Sequence, residues 1–271
     1  LRPDGRRRFV WGDPYTARVT GDTAWFNTQR LLRNTHRHLM LPTAWGVPLV
    51  AALSIPLLLS GLSSLYIYKK WWRGFFKWPD ATRPRRLWGD VHRLAGVWSL
   101  WFVLLIGATG AWYLVESLGG DAPAAPIARL KPAGETLQPV DPVAVNAIAG
   151  IAAQQWPDFT IRGAMPTPDG SKIVFVGEAQ AVLVRDRANN MAFDLQTRGL
   201  IAQHDGRDLG VHQRIAEMAD PLHFGSFGGW PIRLLWFLAG VLLTSLCFTG
   251  VYLYGLRTVD SLRSLAKRKA A

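Results

Sequence analysis

Three stretches of the chain carry no charged side chain: residues 38–68, 94–115 and 234–256. Each exceeds the roughly 18–20 apolar residues that cross a bilayer core of about 30 Å as a helix. The pattern predicts membrane spans over 38–68, 91–115 and 231–256. Between the last two, Asp141 followed by Pro142 is an N-cap with proline at the first helical position, which predicts a helix to about residue 155. Short β-patterned runs follow at 159–165, 172–177, 181–185 and 190–195, with turn residues between them. One helix with three or four antiparallel strands makes a small α+β domain over about 141–205. Residues 119–140, rich in Gly, Ala and Pro, read as a linker, 207–219 as a helix, and 220–231 as a Gly-rich approach to the third span. Near the start, residues 9–20 alternate around an Asp-Pro turn as a hairpin does, and 24–41 run helically into the first span. The fold class is an α-helical integral membrane protein with one small α+β domain.

Charge then orients the spans. Residues 69–93 hold eight Lys/Arg against two acids and 257–271 hold five against one, whereas 116–233 holds ten against thirteen. Basic residues crowd the two segments that share one side of a three-span chain, which is the positive-inside pattern. It sets 69–90 as a cytoplasmic loop, 257–271 as a cytoplasmic tail and 116–230 as a periplasmic segment of a bacterial inner-membrane protein. Nucleic-acid binding would need the basic residues clustered on a folded domain, and the one large soluble segment is acidic overall. The net charge of +12 is therefore topological. Residues 1–37 read as the periplasmic remnant of a first outer domain. Eight Arg against three acids sit awkwardly there, the chain starts with Leu1, and no apolar signal segment precedes them. We expect a further span upstream, four in all.

A repeat points the same way. Asp13-x-x-Thr16 matches Asp194-x-x-Thr197, a His-bearing segment follows each, and each leads into a span closing on a hydroxyl residue and Gly, at Ser60-Gly61 and Thr249-Gly250. The second span closes likewise at Thr109-Gly110.

The single cysteine, Cys247, excludes an internal disulfide, a covalent c-type haem attachment, a thiolate zinc site and an iron–sulfur cluster built by this chain alone. No nucleophile constellation supports a hydrolase, and no nucleotide fingerprint is present. Histidine is the informative residue. His36 and His38 lie at the outer end of the first span, His223 at the outer start of the third and His92 at the inner start of the second. A titratable ring at membrane depth needs a partner, and imidazoles from facing helices can hold a b-type haem. His36 with His223 could hold an outer haem. His92 at the inner face has no partner in this chain. His36 and His38 are about 200° apart on a helix, so only one can face a given haem. His204 and His212 read as surface residues of the outer domain. Each edge histidine can equally be an interfacial anchor, and the Gly-rich run from Phe224 to Trp230 either packs on a porphyrin or turns the chain back toward the membrane.

Three segments resemble the PepSY-associated transmembrane family: His36-Arg37-His38-Leu39-Met40-Leu41-Pro42, Val91-His92-Arg93-Leu94-Ala95-Gly96-Val97-Trp98, and Pro221-Leu222-His223-Phe224-Gly225 with Gly228-Gly229. Residues 141–201 look like its PepSY domain. The resemblance implies a four-span inner-membrane protein tied to iron uptake, of which some members are di-haem ferri-siderophore reductases. It implies one or two b haems, with His36 and His223 at the outer haem iron, His92 at the inner and His38 in reserve. It also implies a quinol or separate reductase as donor and a ferric chelate as periplasmic acceptor, so that the protein works as an oxidoreductase of the ferric-chelate reductase type. Two other readings stand beside it: a non-enzymatic PepSY-type binding or regulatory protein, and an accessory subunit of a larger membrane complex.

Overall fold

The computed structural model describes residues 7–13, 15–16, 18–123, 140–167 and 169–270. Most of the stretch read as a linker, and the proline of the first turn, lie outside the described residues. The chain divides into two units, Leu1–Leu53 and Ser54–Ala271.

In the first unit β1 (Arg8–Gly12) and β2 (Val19–Ala24) form an antiparallel hairpin. The Asp13 carboxylate closes it by accepting from the backbone N–H groups of Tyr15 and Thr16. Helix α1 (Thr28–His38) starts at Asn27, whose side chain accepts from the Arg30 N–H at 2.9 Å, and Arg30 in turn lies 3.6 Å over the Trp25 ring. Leu39 and Met40, both at positive φ, end α1 and turn the chain into α2 (Thr43–Ala52).

The second unit starts with α3 (Ser54–Ile67), passes a short 3-10 turn at Trp71–Gly74, and continues in α4 (Pro84–Ser117), which has proline at its first position. Thr43–Ile67, Pro84–Ser117 and Gly229–Arg268 are helical, long and apolar enough to cross a membrane. Their outward side chains support that reading. Phe237, Phe248 and Val251 are 66%, 73% and 75% exposed, an arrangement that water penalises and lipid does not.

Small residues set the helix contacts. A Cβ on Gly107 would stand 2.7 Å from the Leu58 side chain, and one on Gly110 would stand 2.9 Å from Ser54. Gly61 meets Val103 and Leu104. These contacts run antiparallel and let α3 lie close along α4.

The α+β domain forms around α5 (Pro142–Gln155), capped by Asp141 accepting from the Val143 N–H at 2.9 Å. Four antiparallel strands follow in the order β3 (Thr160–Pro166), β4 (Lys172–Glu178), β5 (Asn189–Asp194), β6 (Leu200–His204). Alternation along β4 and β5 sends Ile173, Phe175, Met191 and Phe193 against Ile148, Ala152 and Trp156 of the helix side. The β-patterned run 181–185 is not a strand, and the fourth strand is β6. Asp194 closes the β5–β6 turn by accepting from the N–H groups of Gln196 and Thr197. The repeated Asp-x-x-Thr is thus hairpin-turn chemistry, used once in each unit.

Helix α6 (Val211–Phe224) ends at Gly225 in the left-handed region, φ 64°, and α7 (Gly229–Ala270) completes the chain. Replacing Gly107 by Val should overpack the α3–α4 contact and cost about 1–3 kcal/mol. Gly240→Ala, where nothing lies within 4 Å of the added carbon, should be neutral or stabilise by up to about 1 kcal/mol. SDS titration of the detergent-solubilised chain, followed by tryptophan fluorescence, measures both.

Candidate functional site

Helix α4 is the scaffold. Against α7 it runs antiparallel, with Arg85 paired to Asp260 at 2.6 Å, Trp88 edge-on to Tyr252, Gly96 against Leu246, and Trp101 and Phe102 against Trp236. Within this seam the His92 Nδ1 lies 2.8 Å from the Thr249 hydroxyl. At the other end of α4 the His223 Nδ1, on α6, lies 2.9 Å from the Thr109 hydroxyl. Both threonines belong to Thr-Gly pairs, and a Cβ on Gly250 would stand 3.5 Å from His92 Cε1.

The hydrogen-bond count assigns the proton. A threonine hydroxyl has one hydrogen to give. Thr249 Oγ1 is 2.7 Å from the Ser245 carbonyl and 3.3 Å from that of Leu246. Thr109 Oγ1 is 3.0 and 3.1 Å from the carbonyls of Leu105 and Ile106. Carbonyls only accept, so a hydroxyl that keeps its hydrogen on its own helix accepts from the imidazole. In that arrangement Nδ1–H is the donor and the neutral ring keeps its lone pair on Nε2; the other tautomer would need the hydroxyl to turn its hydrogen to Nδ1. That tautomer suits an imidazole that ligates a metal through Nε2, since ligating histidines generally give the other N–H to an oxygen.

His92 and Thr109 are seventeen residues apart on α4, about 26 Å along its axis. The two imidazole–hydroxyl pairs stand at opposite ends of one span.

The His223 end is tied to the α+β domain. Tyr113, one turn beyond Thr109, meets the His223 ring edge-on with centroids 5.2 Å apart, and its hydroxyl donates to Asp220 at 2.8 Å. Arg185, on the loop leaving β4, pairs with Glu217 at 2.9 Å and Asp220 at 3.1 Å. Burial works against the Arg185 charge, but hydrogen bonding to Glu217 and the charges of Glu217 and Asp220 outweigh it, and the guanidinium pKa ends up raised. His212 packs edge-on to Trp112, and its Nε2 lies 3.1 Å from the Gly120 carbonyl. It is exposed, as read from sequence, but it is a contact between α6 and the end of α4.

The remaining motif residues serve their neighbours. Arg93 donates to the carbonyls of Gly74 and Lys77, and the Trp98 indole donates to that of Phe75, so both hold the loop before α4. Gly225 needs its positive φ to end α6, and a Cβ there would stand 2.7 Å from the Trp236 ring. Phe227 stacks edge-on against the same ring. In the first unit His36 is exposed on α1, while His38 is half-buried against Gly46 with its Nδ1 lacking a hydrogen-bond partner. Among the described residues no group of three or more His, Cys, Asp or Glu side chains is arranged for a bare metal ion.

Comparison with known proteins agrees with this architecture. The family described as the PepSY-associated TM region matches residues 1–257. The chain belongs to this family. It is a membrane protein of the PepSY-associated class, with three candidate spans and a sheet-bearing domain. It is also similar to the uncharacterized protein PA4219 of Pseudomonas aeruginosa, 34% identical over 89 residues, which make up 33% of this chain and 22% of that protein. The match thus spans about a fifth of the relative's length.

Thr109 and Thr249, read from sequence only as span-closing residues, are the partners that reasoning missed. The signal was the shared Thr-Gly pair. Thr249→Val should shift the tautomer balance at His92 toward Nε2–H and leave His223 unchanged, and Thr109→Val should do the reverse. Each change loses a part-buried hydrogen bond worth about 1–3 kcal/mol. Nitrogen-15 NMR of histidine-labelled protein reads the tautomers, and serine at either position should restore them.

Proposed function

We propose that this protein is a b-type haem protein of the bacterial inner membrane that carries electrons across the bilayer to a periplasmic ferric chelate, as in siderophore-iron reduction. The observation that supports it most is the pair of imidazole–threonine bonds at the two ends of α4. A histidine that merely anchors a helix at an interface has no need of a buried hydroxyl that fixes its tautomer, and two such devices in one span are harder still to attribute to anchoring.

The donor set fits an iron porphyrin. His92 and His223 are each neutral-ring ligand candidates, one for each of two haems at opposite ends of α4, and Gly250 lets the His92 ring lie close to α7. When bound, haem would supply reversible one-electron iron chemistry. The chain's own residues do the rest. Thr249 and Thr109 hold the proton on Nδ1, and the apolar faces of α4 and α7 keep water from the space between the two ends. His36, with His38 in reserve, is carried by sequence as the first unit's candidate ligand. The basic loop and tail support a reading with the His92 end at the cytoplasm and the His223 end at the periplasm. Electrons would enter from a quinol or a separate reductase, since the chain shows no nucleotide fingerprint. Reduction of ferric iron weakens its hold on hard oxygen chelators, which releases the metal.

The test is a reduced-minus-oxidised spectrum of the purified chain with haem quantified against protein. One or two b haems are expected, with loss of most of one signal in His92→Ala and of a different one in His223→Ala. A wild-type chain refolded with haem that shows no Soret band would end the proposal.

A further inference from the structure

We propose that Arg185 is the positioning residue of the outer imidazole: by clamping α6 it sets where the His223 ring stands against α4. The α+β domain would then be a working part of the site. The functional weight of this rests on His223 as a haem ligand; the positioning itself does not.

The guanidinium uses nearly its whole fork. Nε and Nη2 reach the two oxygens of Glu217 at 2.9 and 3.0 Å, Nη1 reaches Asp220 at 3.1 Å, and Nη2 also approaches the Ala216 carbonyl at 3.4 Å. The Arg185 backbone N–H adds a contact to Glu217 at 3.3 Å. Glu217 is only 5% exposed. A carboxylate so desolvated depends on its cation, and removing the cation leaves an uncompensated charge beside a second carboxylate. Lysine cannot replace a planar fork that serves two carboxylates at once.

From Asp220 the constraint passes directly to the ring. Its other oxygen accepts from Tyr113, whose ring lies edge-on to His223. Asp220 and His223 are three apart on α6, Thr109 and Tyr113 four apart on α4, so each pair shares a helix face. The result is a closed circuit in which α6 is held to α4 through His223 and Asp220 and to the sheet domain through Arg185, while His212 and Arg214 add contacts nearer its start. Loss of Arg185 sets Glu217 and Asp220 against each other and loosens the hold on the sheet domain.

The loop can bear that load because its base is fixed. Ala188 and Asn189 are fully buried, and Asn189 accepts from the Gly206 N–H at 2.9 Å and donates to the Gly177 carbonyl at 3.2 Å. Arg214 of α6 also donates to the Val182 carbonyl of the same loop. Arg185 therefore projects from a rigid corner of the sheet.

The experiment is histidine C2–H deuterium exchange, read by mass spectrometry on the full chain in detergent without haem, followed by redox titration of the haem-loaded chain. In Arg185→Gln the His223 exchange rate should rise about threefold or more, the mark of a loosened local contact, while His92 stays at its wild-type rate. Arg185→Lys should recover less than half of the effect. Arg185→Gln combined with Asp220→Asn should change His223 no more than the larger single change, because both act through one contact. Arg207→Gln, in the same domain but paired with Asp205, should leave His223 alone. In the haem-loaded chain one midpoint potential should move and the other stay. An unchanged His223 rate in Arg185→Gln, or His92 moving equally, overturns the inference. A wild-type chain that takes up no haem overturns the function proposed above, and the exchange rates still decide the role of Arg185.

Discussion

A hydroxyl whose single hydrogen is already committed to its own helix is the constraint on which the candidate site depends. Thr249 and Thr109 each lie within hydrogen-bond distance of the carbonyls three and four residues earlier. Such back-bonding is cheap in a membrane helix, where water offers the hydroxyl no partner. Its consequence is chemical: with that hydrogen in place the oxygen accepts from the facing imidazole, which favours the Nδ1–H tautomer.

The rest of the second unit can be understood as holding two such contacts in register. Gly107, Gly110 and Gly61 bring α3 tight against α4, and the aromatic seam of Trp101, Phe102, Phe227 and Trp236 fixes α4 against α7. At the far end the α+β domain has a conventional core, with Ile148, Phe175 and Phe193 almost fully buried, and that core supports a loop carrying one arginine toward α6. The α+β domain thus meets α6 through ion pairs that are less screened at this half-buried junction than on an open surface.

The internal repeat gains a physical meaning at one level. Asp13 and Asp194 both close hairpins by accepting from the backbone two and three residues on, and each hairpin precedes a helix that carries histidine, α1 with His36 and His38, α6 with His223. Thr109-Gly110 and Thr249-Gly250 repeat the acceptor of the imidazole proton with a glycine beside it.

The three long apolar helices, the cap at Asp141, the helix-plus-sheet character of residues 141–204 and the histidines worth watching were all legible in the chain by itself. Period, length and capping are local properties, and charge-free runs of more than twenty residues have few alternatives to a bilayer. Tertiary structure decided the remainder. Residues 181–185 have strand-like composition but form a loop, with Leu183 in the left-handed region, φ 57°, and Arg185 bonded to Glu217 and Asp220 and not to a neighbouring strand. Which oxygen meets each imidazole depends on the register of α4 against α6 and α7, and that register comes from the Trp101/Phe102–Trp236 seam, the Arg85–Asp260 pair and the Tyr113–Asp220 bond, all between segments more than a hundred residues apart in sequence. No spacing along the chain encodes such a distance.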